Sequence, residues 1–87
     1  MFDAIIVHPR VNQRHPEVSD EDAIAAWRHP LAITRRAFEP PDIYTAAGVD
    51  GKGRLLELIG VELEDGSLMI YHAMKPTRKM SQELGLL

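Results

Sequence analysis

The chain has 87 residues, with 10 lysines and arginines against 13 aspartates and glutamates, a formal net charge of −3 and no cysteine. That length supports one domain, residues 1–87, with no disulfide or cysteine-bound zinc to staple it, and a domain this small buries only roughly 60% of its unfolded surface. At 45% hydrophobic and 26% charged residues the composition is globular, and the acidic balance argues against a surface that attracts nucleic acid everywhere.

No apolar run approaches the roughly 18 residues of a membrane span. The segment Met1–Val7 lacks the basic start and the apolar length of a secretion signal, so the expected location is cytoplasmic with no membrane contact. Residues 2–7, apolar apart from Asp3, read as a short buried strand, with a helix turn as the alternative. Pro9 ends this segment, and residues 10–15 form a short polar helix.

The clearest helix start follows. Ser19 is a good N-cap, and Asp20, Glu21 and Asp22 sit where the helix dipole favours negative charge. Val18 and Ala23 occupy the positions of a hydrophobic staple. Ile24 and Trp27 continue the apolar stripe, and Pro30 ends the helix. The acidic block therefore has a capping job. Trp27 reads as a core anchor rather than a platform for base stacking.

Four strand-like stretches come next. Leu31–Phe38 is weak and is broken by Glu39-Pro40-Pro41. Ile43–Val49 is apolar and β-branched, and the turn Asp50-Gly51-Lys52-Gly53 leads into Arg54–Leu63. Asp65-Gly66 signals a hairpin before Ser67–Met74. Pro76 then breaks the pattern, and Thr77–Leu84 reads as a short helix stopped by Gly85.

A two-residue loop at Asp65-Gly66 pairs Leu63 with Leu68, Val61 with Ile70, Ile59 with His72 and Glu57 with Met74. It makes Leu63, Val61, Ile59, Leu68, Ile70 and Met74 the core face, with Gly60 covered by Tyr71. His72 then lies near Glu57, either as a half-buried imidazole paired with that carboxylate or as an acid–base group. Arg54, Tyr71 and Lys75 fall on the opposite face, and only a sheet edge or a bulge brings them to His72.

Several chemistries are absent. There is no phosphate-binding glycine loop, no Gly-x-Ser-x-Gly elbow and no His-Glu-x-x-His zinc motif. His8, His15, His29 and His72 are scattered, so no metal site and no cofactor are expected. What remains suits an acid–base enzyme or a binder.

Two segments carry a family resemblance. His8-Pro-Arg10 through Trp27, a histidine and an arginine before a small capped helix, resembles the opening of small toxin-like proteins. Gly51-Lys-Gly53-Arg54-Leu-Leu-Glu57-Leu, running on to Ile70-Tyr71-His72-Ala73-Met74-Lys75-Pro-Thr77-Arg78-Lys79, is similar to the C-terminal half of BrnT-type toxins. The resemblance implies an α+β domain of the RelE/ParE-like kind: a small antiparallel sheet of about four strands, N-terminal helices packed on it and a short C-terminal helix. It also implies a ribonuclease toxin of a type II toxin–antitoxin pair, neutralised by a small protein antitoxin. Arg54 falls on the family's arginine after the turn glycine, and Lys75 and Arg78 fall in its basic stretch. The family often has serine where this chain has His72.

A metal-independent ribonuclease needs a base for the RNA 2′-OH, an acid for the leaving 5′-oxygen and cations for the charge that builds on phosphate. The expected catalytic groups are His72 as base or acid, with Arg54 and Lys75 stabilising charge. Arg35, Arg36, Lys52, Arg78 and Lys79 are expected to hold phosphates. The alternatives are a non-catalytic protein-interaction module and a ParE-type gyrase inhibitor. Expected partners are an antitoxin, RNA and a second copy of the chain.

Overall fold

The structure is a computed structural model that describes residues 2, 4–36 and 42–87. The elements are β1 (Ile5–Val7), α1 (Arg10–Arg14), α2 (Asp20–Arg28), β2 (Pro30–Arg35), β3 (Ile43–Val49), β4 (Leu55–Glu62), β5 (Leu68–Met74) and α3 (Arg78–Glu83). The Glu39-Pro40-Pro41 breaker and the end of the Leu31–Phe38 strand lie outside the described residues. No helix among the described residues is long and apolar enough to cross a membrane.

The architecture is α+β, as expected, but the sheet is larger and mixed. Its strand order is β1-β5-β4-β3-β2. β1 runs parallel to β5, with Ile5, Ile6 and Val7 opposite Leu68, Met69 and Ile70, and the other pairs are antiparallel. A fifth, parallel strand fits beside β5 because α1 and α2 carry the chain across the sheet before β2 begins.

The α2 start folds as its sequence directs. Ser19 Oγ accepts from Asp22 N at 3.1 Å and Asp22 Oδ2 accepts from Ser19 N at 3.0 Å, a reciprocal capping box. Val18 and Ala23 are fully buried beside it.

The hairpin register departs from expectation near its turn. Glu57 pairs with Met74 and Ile59 with His72, as anticipated, but Val61 pairs with Met69 and Glu62 with Leu68. The loop contains three residues, closed by Leu63 N donating to Ser67 O at 2.8 Å, with Gly66 at φ 85°. A left-handed glycine at that position completes a type I turn with a G1 bulge. The extra loop residue is taken up by a bulge in β5 at Tyr71, between the Ile59–His72 and Gly60–Ile70 pairs. Tyr71 therefore does not cover Gly60. Leu68 fills the space there, and a Cβ on Gly60 would lie 3.1 Å from it.

This shift divides the expected core face between two layers. Leu56, Leu58, Leu68, Ile70 and Ala73 pack with Val11, Val18 and Trp27 under α1 and α2. Leu55 and Ile59 pack with Ala47, Met80 and Leu84 of the α3 layer. Val61, Leu63 and Met74 are half-buried. Helices on both faces make a continuous apolar strand more favourable than an alternating one.

α2 approaches β3 so closely that a Cβ on Gly48 would lie 1.8 Å from the Ala26 carbonyl oxygen. Relief requires moving a helix away from a strand. Gly48→Ala is expected to cost about 3 kcal/mol or more in urea unfolding. An unchanged urea midpoint would show that α2 is not held at this distance.

Candidate functional site

Three polar clusters organise the described residues. The first joins the start of α2 to the β3–β4 turn. The Asp50 side chain is 0% exposed. Its Oδ1 accepts from the backbone N–H groups of Lys52 and Arg54, each at 2.9 Å, which shapes the turn. Its Oδ2 accepts from Arg54 Nε at 2.8 Å. Arg54 then donates from Nη2 to Asp22 Oδ2 at 2.9 Å and from Nη1 to the Glu17 carbonyl at 3.1 Å. Lys52 Nζ reaches the same Asp22 oxygen at 3.2 Å.

The Asp22 carboxyl titrates below the usual aspartate value of 3.8, chiefly through the Ser19 backbone hydrogen bond. At Asp50 burial raises the pKa, but hydrogen bonds from the Arg54 and Lys52 backbone and the Arg54 side chain outweigh it, and the net shift is downward. Two partly exposed cations thus compensate two buried carboxylates. Three of the five N–H donors of the Arg54 guanidinium are committed to the protein.

The second cluster is built on β4 and β5. Glu57 is buried. Its Oε2 lies 2.8 Å from His72 Nε2. Its Oε1 accepts from Thr77 N at 2.6 Å and Thr77 Oγ1 at 2.7 Å. Thr77 is in turn the N-cap of α3, accepting from Met80 N at 3.2 Å. One carboxylate therefore fixes both the imidazole and the start of the last helix. The His15 ring, at the end of α1, stands 6.2 Å from the His72 ring, centre to centre, and nearly perpendicular to it. His15 Nδ1 is 3.8 Å from Glu17 Oε2.

Between these clusters runs a groove of about 500 Å³, floored by Leu55 and Leu56 and flanked by Glu17, Arg54, Lys75 and Pro76. The third cluster lies by α3. Arg36 donates from Nε and Nη2 to Glu83 at 3.0 and 2.8 Å, and Thr45 Oγ1 donates to Glu83 at 3.3 Å.

The expected site residues therefore separate. Arg54 and Lys75 meet at the groove, while His72 belongs to the adjoining Glu57 cluster. Lys52 is paired with Asp22, Arg36 with Glu83 and Arg35 with Asp42 at 2.8 Å. Lys75, Arg78 and Lys79 are exposed and form no ion pair among the described residues. His15, to which the sequence assigns no site role, stands beside His72. No pattern of spacing links two residues that meet only through the packing of α1 on β5. No three histidine, aspartate or glutamate side chains among the described residues converge to hold a metal ion.

No protein-family model matches the chain, and searches of curated proteins and of solved structures find no match.

Asp50 holds the turn and Arg54 together from a fully enclosed position. Asp50→Ala is expected to cost about 3 kcal/mol in chemical denaturation. The depressed pKa values of Asp22 and Asp50 also set the sign of acid unfolding. Their contribution is complete above pH 3.8 and is lost as pH falls through their lower folded values. Thermal melts across this range test it, with Asp22→Asn expected to flatten the acid limb.

Proposed function

We propose that the chain is a toxin-like ribonuclease of the RelE/ParE-like kind, cutting RNA by metal-independent acid–base chemistry. The observation that carries this reading is the Glu57–His72 pair. A buried carboxylate that accepts Nε2–H fixes the imidazole orientation and leaves Nδ1 as its proton acceptor. The His72 side chain keeps 25% of its surface exposed, so the base is within reach of a substrate. Lys75 brings an unpaired positive charge to the neighbouring groove, where it suits a phosphate oxygen. Arg54 lines that groove and keeps two N–H donors without a hydrogen-bond partner among the described residues, but its charge is already balanced by Asp22 and Asp50. Its main role is therefore to hold the groove wall, with Lys75 as the principal electrostatic group. Arg78 and Lys79 extend the basic surface beyond Lys75.

The arrangement of N-terminal helices against a largely antiparallel sheet fits the RelE/ParE-like kind and the BrnT-type resemblance. This reading includes a small antitoxin protein, and a second copy of the chain, as partners. The edge strand β2 leaves Leu31 62% exposed, surface that such a partner would cover.

One observation favours a second reading. Arg54, Lys52 and Arg36 are all engaged by carboxylates of the same chain, which suits a non-catalytic module that binds a protein partner.

Inducible expression in a bacterial host separates these readings. The ribonuclease is expected to arrest growth and degrade RNA, and His72→Gln, whose amide N–H can still pair with the buried Glu57, to relieve both while keeping the wild-type circular dichroism spectrum. Arrest with intact RNA points to a gyrase-type target. Unimpaired growth on expressing the wild-type chain points to the interaction module. Arg54→Ala is a poor probe, because it strips the partner from a buried carboxylate and is expected to lower the melting temperature.

A further inference from the structure

We propose that His15 is the second acid–base group of this site, and that the His15–His72 pair lets the chain cut naked RNA with no catalytic group supplied by a partner. The inference rests on the ribonuclease reading and deepens it.

The fold fixes His15 from both sides. Its N–H donates to Val11 O at 2.9 Å and its carbonyl accepts from Val18 N at 2.9 Å, pinning the residue at the end of α1. Val11 and Val18 are themselves fully buried, so the imidazole stands on a rigid base. Its side chain is 27% exposed, close to the 25% of His72. With ring centres 6.2 Å apart, the two imidazoles are close enough for each to serve one of two oxygens on the same phosphorus.

The two rings are held differently, and the difference assigns their roles. Glu57, itself buried and fixed by Thr77, occupies His72 Nε2 and leaves Nδ1 as the base. Glu17 is 56% exposed and stands 3.8 Å from His15 Nδ1, beyond hydrogen-bond distance. It stands beside the ring without occupying either nitrogen, so His15 is free to carry a proton and hand it to a leaving oxygen. Glu17 also forms one flank of the groove where Lys75 lies, so the pair and the groove adjoin.

In the reaction, His72 Nδ1 takes the proton of the 2′-OH as the O2′–P bond forms. The P–O5′ bond breaks and His15 gives its proton to O5′. The products are a 2′,3′-cyclic phosphate and a 5′-hydroxyl, and proton exchange with water resets both rings.

The test uses purified full-length protein on a naked oligoribonucleotide and on a uridine 3′-phosphodiester whose leaving group is 4-nitrophenol, which departs without an acid. Wild type is expected to cleave both, leaving cyclic-phosphate ends on the RNA. His72→Gln, which keeps a donor for Glu57 but no base, should lose roughly a hundredfold or more on both, and His15→Ala a similar factor on RNA alone, remaining within a few-fold of wild type on the aryl ester. His15→Gln replaces the alanine variant if the latter does not fold. A folded His15 variant that cuts RNA like wild type, or that fails equally on both substrates, overturns the proposal and leaves the ribonuclease reading intact. So does a wild-type chain that degrades RNA in cells but not naked RNA. A wild-type chain that neither arrests growth nor cuts RNA in cells or in vitro overturns both.

Discussion

Asp22 Oδ2 accepts from Ser19 N, Lys52 Nζ and Arg54 Nη2 at 3.0, 3.2 and 2.9 Å. The same atom caps α2 and, through Arg54, ties that helix to Asp50 at the end of β3. Helix start, turn shape and the approach of α2 to Gly48 are therefore coupled. A small core without disulfides gains from such coupling, because groups already fixed by one contact lose less entropy in making the next. The cluster also gives the capping block a second use. The acids that complement the helix dipole include the one that receives the basic residues of the β3–β4 turn.

This changes what the net charge of −3 means. Charge blocks along the sequence do not each describe a surface. Asp22 with Lys52 and Arg54, Glu83 with Arg36, and Asp42 with Arg35 are internal or local pairs. The cations outside these pairs are Arg10, Arg14 and Arg28 on the helices and, in one short stretch, Lys75, Arg78 and Lys79. On the ribonuclease reading, a face built on that stretch makes few phosphate contacts and has a shallow salt dependence.

The features legible in the sequence are the local ones. The Ser19 cap, the Pro30 stop, the turn at Asp50–Gly53 and the C-terminal helix before Gly85 all appear where their residues place them, because each is decided within a few positions. Non-local features were hidden. Nothing in Ile5–Val7 announces a parallel partner, and the helix layers on both faces make the apolar pattern of β4 ambiguous between them. The three-residue loop and the compensating bulge at Tyr71 follow from the left-handed Gly66 together with the packing of Leu68 and Ile70. Asp65-Gly66 alone does not distinguish the two loop lengths. The Glu57–His72 pair was legible because it sits in the part of the hairpin below the bulge, where the expected register holds.

The structural and the chemical uses of Glu57 do not compete. A carboxylate that only capped α3 would be satisfied by the two Thr77 donors on Oε1. Oε2 is then left for His72, and burial makes that second bond necessary, since an unpaired carboxylate oxygen in this position is costly. The requirement that stabilises the helix start is thus what orients the imidazole. Arg54 shows the opposite outcome. Its partners Asp50 and Asp22 balance its charge, so the residue that the sequence suggests for stabilising a phosphate serves the fold instead. On the proposed ribonuclease reading, the chemistry therefore rests on the imidazoles rather than on the guanidinium, and it depends on which nitrogen is left free rather than on net charge.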